Sequence, residues 1–240
     1  GQHLRRLWDY LGVTPLIPVE RMGVNGVIDR YIFDDFTFDL PESIDAFEDN
    51  LRRAFPLEHS QIITIMGDLR QISLSLSSLD MLMSPEMNFL SPENFESIGE
   101  HLLRTGCSSR LFSVLSVPST LIGVDLRECP AFYYHMTLAS YLLSSWRLAC
   151  SGSQMADAFV SRLKSQGGDV VTGDGVERIL VESKRVKGVV LQSGRVLEAE
   201  AVIAAVHPGI LIAMLPCDAL RPAYAERVTQ LENTKGLFSV

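Results

Sequence analysis

Histidines and cysteines are the side chains of this sequence best suited to bind a metal ion, and their spacing contains no metal motif. Cys129 and His135 are separated by five residues and no second pair follows, whereas structural zinc sites use two closely spaced pairs. The sequence therefore predicts no metal site. The cysteines lack a Cys-x-x-Cys pair, and although four of them could form disulfides, we interpret them as reduced thiols. They are Cys107, Cys129, Cys150 and Cys217.

Serine and glycine motifs for nucleophilic or phosphate chemistry are incomplete. Ser151-Gly152-Ser153 precedes a predicted helix, but the Gly-x-Ser-x-Gly elbow of a serine hydrolase is absent. Gly168, Gly173 and Gly175 follow a helix and lack the Gly-x-Gly-x-x-Gly spacing of a dinucleotide site. The sequence therefore contains no complete cradle for nucleotide phosphates.

Two further groups of side chains favour ordinary structural roles. Glu93, Glu96 and Glu100 fall on one face of a predicted helix, and nothing indicates burial that would shift their pKa values, so we interpret them as a solvated face. An aromatic cluster could line an apolar pocket, although core packing is the usual role of such residues. Its members are Phe132, Tyr133, Tyr134, Tyr141 and Trp146.

Composition narrows the class of protein. The 240 residues are 47% hydrophobic and carry 21 basic and 29 acidic side chains, for a net charge of -8. This composition is typical of a folded domain and argues against nucleic acid as a partner. The most apolar stretch, 201–215, is interrupted by His207-Pro208-Gly209 and is too short to span a membrane. Without a signal peptide at Gly1, we expect a cytoplasmic protein.

Periodicity predicts a helix-rich first part. Residues 16–40 alternate as β structure, with turns at Asn25-Gly26 and Asp34-Asp35. Ser91-Pro92-Glu93 has the residue types of a helix start. That helix is expected to end near Gly106. The predicted helices cover 3–11, 44–55, 60–83, about 91–106, 109–117 and 131–146.

The last third has a different pattern. An amphipathic helix is predicted from Ser153 to Gln166, with Met155, Phe159 and Leu163 facing inward and Gly167-Gly168 closing it. Turn residues then separate five short strand candidates. These are Asp169–Val171, Val176–Glu182, Val186–Gln192, Arg195–Glu200 and Ala201–Val206.

Six ordered elements between Ser151 and Pro208 resemble the FAD-side module of the phytoene desaturase and retinol saturase-like flavoproteins, within the amine-oxidase-like superfamily. They are Ser151-Gly152-Ser153-Gln154, Gly167-Gly168-Asp169-Val170-Val171, Val176-Glu177-Arg178-Ile179, Gly188-Val189-Val190-Leu191, Ser193-Gly194-Arg195 and Ala199-Glu200-Ala201-Val202-Ile203. Earlier residues agree less specifically: Phe55-Pro56-Leu57-Glu58 with Ile62 is similar to a stretch of the substrate-side domain, and Leu4–Val13 to the helix after the family's glycine-rich turn.

The resemblance implies a mixed α/β (α+β) fold in three parts. Residues 1–150 would form a helix-rich substrate-side region with β hairpins, 151–215 a partial FAD-binding module of helix and β-meander, and 216–240 a return to the substrate side. The family's N-terminal Gly-x-Gly-x-x-Gly and its C-terminal flavin segment are absent from the sequence. We therefore expect an internal part of a longer flavoprotein, inactive alone.

The resemblance also implies roles for individual residues. Val176 would contact the adenine of FAD through its main chain, and Ala205, Val206 and Pro208 would lie at a strand end near the cofactor. Gly152 stands where the family has a paired glycine. Phe132, Tyr133 and Met136 would line an elongated apolar substrate pocket, and no side chain is nominated as a catalytic acid or base.

The expected function is that of an FAD-dependent oxidoreductase that moves hydride between the flavin and an apolar unsaturated substrate of the carotenoid or retinoid kind. One alternative is an amine oxidase-like flavoprotein, which oxidises a C–N bond and for which an aromatic cage beside the flavin is expected. The other is a binding module that retains the fold without the cofactor. The sequence does not indicate an oligomeric state.

Overall fold

The computed structural model describes residues 2–23, 25–76, 96–234 and 236, which form two compact units. The first unit contains the described residues up to Arg162 together with the tail from Thr234, and the second runs from Leu163 to Asn233. Helices and small antiparallel sheets occur in both units. The mixed α/β class predicted from the sequence is therefore confirmed.

Helices dominate the first unit, and serine side chains begin four of them. The hydroxyls of Ser43, Ser97, Ser108 and Ser151 accept hydrogen bonds from main-chain N–H groups three residues later, the usual N-cap arrangement. Gly106, at a φ of 78°, ends α4 in the left-handed conformation that glycine adopts readily. The helices are α1 (Gln2–Leu11), α2 (Ile44–Ala54), α3 (His59–Leu76), α4 (Ile98–Thr105), α5 (Ser109–Ser116), α6 (Ala131–Leu143) and α7 (Gly152–Ser165), with 3-10 turns at Thr14–Leu16 and Val117–Leu121.

Two hydrophobic clusters form the interior of the first unit. The larger one packs α2 to α6 together and includes Phe47, Leu51, Leu69 and Tyr134 among its fully buried residues. The smaller one joins α1 to the start of α7 and is built from Trp8, Val13, Ile17 and Ala158. Burial of apolar side chains on this scale is the main stabilising contribution to a folded domain.

Two strand pairs complete the first unit. Strands β2 (Val27–Ile32) and β3 (Thr37–Pro41) form the hairpin predicted around Asp34-Asp35. Strand β1 (Val19–Arg21) pairs with β4 (Trp146–Leu148), far along the chain. The predicted continuation of α6 to Trp146 is therefore wrong, because α6 ends at Leu143 and Trp146 lies opposite Arg21 in this antiparallel ladder.

The second unit is a three-stranded antiparallel meander followed by two short helices. Its strands are β5 (Val176–Glu182), β6 (Arg185–Leu191) and β7 (Val196–Glu198), and its helices α8 (Pro208–Met214) and α9 (Pro222–Thr229). The predicted strands Asp169–Val171 and Ala201–Val206 are wrong, because neither segment has a partner strand among the described residues. Both segments contain adjacent apolar residues, but a strand also requires a ladder partner.

Some predicted features lie outside the described residues. They include the residues Ser91 and Glu93 and the end of the second long helix beyond residue 76. The predicted continuous helix from about 91 to 106 is wrong, because α4 begins at Ile98 with Ser97 as its N-cap. Among the helices of the described ranges, none has both the length and the apolar character needed to cross a bilayer.

Candidate functional site

An apolar cleft lies in the first unit beside the smaller hydrophobic cluster. Trp8 of α1 is 6% exposed and packs with that cluster, and the β1–β4 ladder places Val19 opposite Leu148. Met155, one turn into α7, packs against the same cluster. The pairing of two segments distant in sequence therefore creates one wall of the cleft, and two helices supply the others.

The cleft has a volume of about 560 Å³, within the range of small-molecule binding sites. Two arginines belong to its lining, and each is paired: Arg5 Nε lies 3.3 Å from Asp9 Oδ1, and Arg147 Nη2 lies 2.5 Å from Glu20 Oε1. The remaining lining is largely aliphatic or aromatic. The full lining is Leu4, Arg5, Trp8, Val19, Ser144, Trp146, Arg147, Leu148 and Met155.

The residues predicted to line the substrate pocket lie on α6, outside this set of lining residues. Phe132 is 7% exposed and meets Tyr133 edge to face, with 5.6 Å between ring centroids. Tyr133 is 48% exposed and Met136 is half-buried. Their assignment to substrate stays a prediction, since nothing in their surroundings identifies a bound molecule.

Other members of the predicted aromatic cluster have structural partners. The Tyr134 hydroxyl donates a hydrogen bond to the Leu115 carbonyl at 2.6 Å inside the larger core. The Tyr141 hydroxyl donates to Asp29 Oδ2 at 2.8 Å, and burial with this contact raises the pKa of Tyr141 to about 12. These two tyrosines therefore connect α6 to α5 and to β2. Of the predicted aromatic cluster, only Trp146 lines the cleft.

Gly152, predicted to approach the cofactor, opens α7. Ser151 and Gln154 hold this helix start through reciprocal hydrogen bonds: the Ser151 hydroxyl accepts from the Gln154 N–H at 3.2 Å, and Gln154 Oε1 accepts from the Ser151 N–H at 3.0 Å. Gly152 is exposed, and a Cβ atom added to it would meet nothing within 4 Å. The space at this helix start is therefore open to a ligand that approaches the main chain.

The other predicted cofactor residues belong to the second unit. Val176 begins β5 and is half-buried, whereas Ala205 and Val206 are exposed on the unpaired segment before α8. Pro208 is the first residue of α8, a helix that packs against β5. The His207 side chain caps α8, since its Nδ1 accepts from the Gly209 N–H at 3.1 Å.

No charge on these residues of the second unit opposes contact with a flavin cofactor. Val176, Ala205, Val206 and Pro208 carry no charge and have small or compact side chains, which permit close contact between the main chain and a flat ring. The segment that holds three of them also exposes Ile203 at 96%. Uncharged and accessible surface of this kind suits the adenine and isoalloxazine rings of a flavin nucleotide.

A separate cluster of polar side chains lies within the larger core of the first unit. Asp68 of α3, His101 of α4 and His135 of α6 face one another. Burial lowers the pKa of His135 to about 4, so its ring is neutral at pH 7. Asp68 raises the pKa of His101. Sequence spacing could not reveal this cluster, because its members come from three different helices.

Comparison with known proteins identifies the family. Residues 14–235 match the family described as flavin containing amine oxidoreductase, and the chain therefore belongs to that family. The match confirms the resemblance to amine-oxidase-like flavoproteins that the sequence motifs indicated.

A curated relative narrows the resemblance to the desaturases. The chain is 22% identical over 207 residues to the 4,4'-diapophytoene desaturase (4,4'-diapolycopene-forming) of a Methylomonas species. The match covers 83% of this chain and 39% of the relative, so the chain spans well under half of that protein's length.

Solved structures share the fold. A protein of Pyrococcus furiosus has a TM-score of 0.62 at 15% identity, over 96% of this chain and 50% of that one. An oxidoreductase from Methanosarcina mazei has a TM-score of 0.59, also at 15% identity, over 94% of this chain and 50% of that one.

Proposed function

We propose that this chain is part of an FAD-dependent oxidoreductase that moves hydride between the flavin and an apolar unsaturated substrate. The observation that carries the proposal is the largely apolar cleft between α1, the β1–β4 ladder and α7, in a chain of a flavin-containing family. When bound, the flavin supplies the hydride acceptor or donor at its N5 atom. The protein orients the substrate and excludes water from it.

The lining of the cleft favours a hydrocarbon over an amine. Among the described residues that form it, there is no aspartate, glutamate or histidine to pair with an ammonium ion or take its proton. The charges of Arg5 and Arg147 are paired with Asp9 and Glu20, which leaves the apolar side chains to determine affinity.

The cofactor part of the proposal is supported by the accessible residues of the predicted FAD module. The small, uncharged surface at Ala205, Val206 and Pro208 in the second unit suits close contact with a flavin nucleotide. The main chain of Val176, at the start of an edge strand, would hold the adenine. FAD, and not FMN, is proposed because the desaturase-like members that the motifs resemble use FAD.

The proposal includes a cytoplasmic location. All four cysteines, Cys107, Cys129, Cys150 and Cys217, are free thiols in the structure. Reduced thiols are typical of proteins in a reducing compartment.

The test is an anaerobic flavin assay on the purified full-length protein that contains this chain. We expect an acyclic polyene to reoxidise the reduced flavin, or its more saturated counterpart to bleach the oxidised flavin, while a panel of amines does neither. Bleaching by an amine alone would contradict the substrate assignment. A protein that takes up no flavin would contradict the oxidoreductase assignment and favour a binding module.

A pair of leucine variants tests whether the cleft holds the substrate. Leu4→Glu places a carboxylate in the cleft, where an apolar substrate would have to desolvate it. We expect kcat/KM for the polyene to fall by roughly 10-fold or more, with the flavin spectrum unchanged. Leu57→Glu is the matched control, because Leu57 is 95% exposed and lies outside the cleft. Equal losses in the two variants would contradict the cleft as the substrate site.

A further inference from the structure

The cluster of Asp68, His101 and His135 has the composition of a metal site. Each residue offers one ligand atom, and these atoms all lie within 4.8 Å of one another. The three residues come from α3, α4 and α6, which pack around the larger core of the first unit. The cluster is therefore supported on three sides by helices.

His135 is buried and lacks a hydrogen-bond partner. Its side chain is 2% exposed, and neither ring nitrogen has a partner among the described residues. Buried polar groups are almost always hydrogen-bonded, because leaving one unsatisfied is destabilising. Coordination to a metal ion would give one of these nitrogens the partner that the surrounding protein does not provide.

His101 is oriented by polar groups on one side of its ring. Its Nδ1 lies 3.3 Å from Glu96 Oε2 and 3.0 Å from Arg104 Nη2, and Arg104 also binds both oxygens of Glu96. These contacts hold the opposite nitrogen, Nε2, toward Asp68. A carboxylate behind a histidine is a common outer support of metal ligands.

The other nitrogen of His101 faces a carboxylate. His101 Nε2 is 3.1 Å from Asp68 Oδ2, a contact that raises the pKa of His101, and a metal ion bound here would replace the proton between these two atoms. Two electron-rich atoms at this distance are well placed to share a cation. The arrangement therefore favours an ion between them and His135.

We propose that Asp68, His101 and His135 together bind one divalent transition-metal ion of the Zn²⁺ type. Two imidazoles and one carboxylate are a frequent ligand set for such ions, and three protein ligands leave a further position for water. The Asp68 side chain is 41% exposed, which provides a route for the ion. Bound metal would tie α3, α4 and α6 together, and this site does not depend on the flavin.

The test is metal binding by the purified protein after dialysis against a chelator. Zn²⁺ is titrated by calorimetry, and Co²⁺ is added separately to record the visible absorption of the bound ion. We expect one ion per chain. Asp68→Asn and His135→Gln should each weaken Zn²⁺ binding by at least about 10-fold, since they remove a ligand. His59→Gln is the control, because His59 is an exposed histidine at the start of α3 outside the cluster.

A fourth variant tests the supporting carboxylate. Glu96→Gln should weaken binding by about 10- to 100-fold while one ion still binds, as expected for a residue that acts through a ligand. Circular dichroism confirms folding of each variant. If His135→Gln does not fold, Asp68→Asn carries the test, since Asp68 is partly exposed. Absence of Zn²⁺ uptake by the unaltered protein, or equal affinity in Asp68→Asn and His59→Gln, would overturn the proposal.

Discussion

The two units of the molecule bury very different amounts of apolar side chain. The first has a large cluster among five helices and a smaller one beside α1. The second buries four residues, Ile179, Gly188, Val190 and Leu191, while nine of its large apolar side chains are exposed. A three-stranded sheet with so small a core depends strongly on its main-chain geometry. Five of the six motif elements that resemble flavoproteins, all those from Gly167 onward, lie in this thinly packed unit.

This difference in burial between the two units shows two physical reasons why a particular residue type is required at a position. In the first unit, apolar residues at helical spacing fill a core, and Leu51 on α2 is an example at 0% exposure. In the second, Gly188 is needed because β7 passes so closely that a Cβ would lie 2.1 Å from the Leu197 carbonyl oxygen. Packing explains the first residue and backbone approach explains the second.

The largest expected effect is the loss of a core side chain in the first unit. Leu51→Ala should lower the free energy of unfolding by about 2–5 kcal/mol, because the fully buried side chain would leave a cavity in the larger hydrophobic cluster. Chemical denaturation measures this loss. Leu57→Ala, at a leucine that is 95% exposed, should change stability by no more than about 0.5 kcal/mol. Similar values for both variants would contradict the assignment of the core.

A smaller effect is expected from a glycine of the second unit. Gly188 has a φ of 145°, and the added methyl group of Gly188→Ala would collide with β7. We expect hydrogen exchange of the β6 and β7 amides to accelerate markedly. Gly173→Ala shares the positive φ, at 77°, but meets nothing within 4 Å, so its cost should be only about 1–2 kcal/mol of backbone strain. Equal exchange rates in the two variants would show that the close approach is unimportant.

The smallest effect concerns the ion pairs of Glu48 in the first unit. Glu48 Oε2 lies 2.6 Å from Arg70 Nη2, and the Arg70 and Arg52 guanidiniums lower the pKa of Glu48. The folded pKa is below the unfolded value, so this stabilisation is present above about pH 4.5 and is lost as the pH falls through the folded value. Because Arg70 is 44% exposed, we expect only about 0.5–1 kcal/mol.

Denaturation of the unaltered protein and of Glu48→Gln between pH 7 and pH 3 measures that contribution. The two proteins should differ most at neutral pH and converge at the acidic end. A difference that stays constant across this range would mean that the charge of Glu48 is not what stabilises the helix pair.

Local sequence signals predicted most of the helices and the central meander. The Gly106 helix end and the Asp34-Asp35 hairpin are set by neighbouring residues, and the structure has both of them. The meander from Val176 to Glu198 likewise follows from alternation and turn residues. These features require little information from distant parts of the chain.

The features that the sequence did not reveal depend on distant pairing. Trp146 follows a helical pattern, but its segment pairs with Val19–Arg21 and lines the cleft. Ala201–Val206 is a continuous apolar run, as in a buried strand, and has no partner strand in the part of the chain that the structure describes. His101 and His135 meet only because α4 and α6 pack on the same core. The spacing of residues along the chain gives no sign of these contacts, so neither the cleft nor the polar cluster could be predicted from the sequence.

The most direct test of the proposed function is the visible spectrum of the full-length protein, purified without added cofactor and then denatured to release any chromophore. We predict the absorption bands of oxidised flavin, and FAD in the released fraction at about one molecule per chain. A colourless protein that also takes up no added FAD would contradict the account. The exposed residues of the second unit would then serve another ligand.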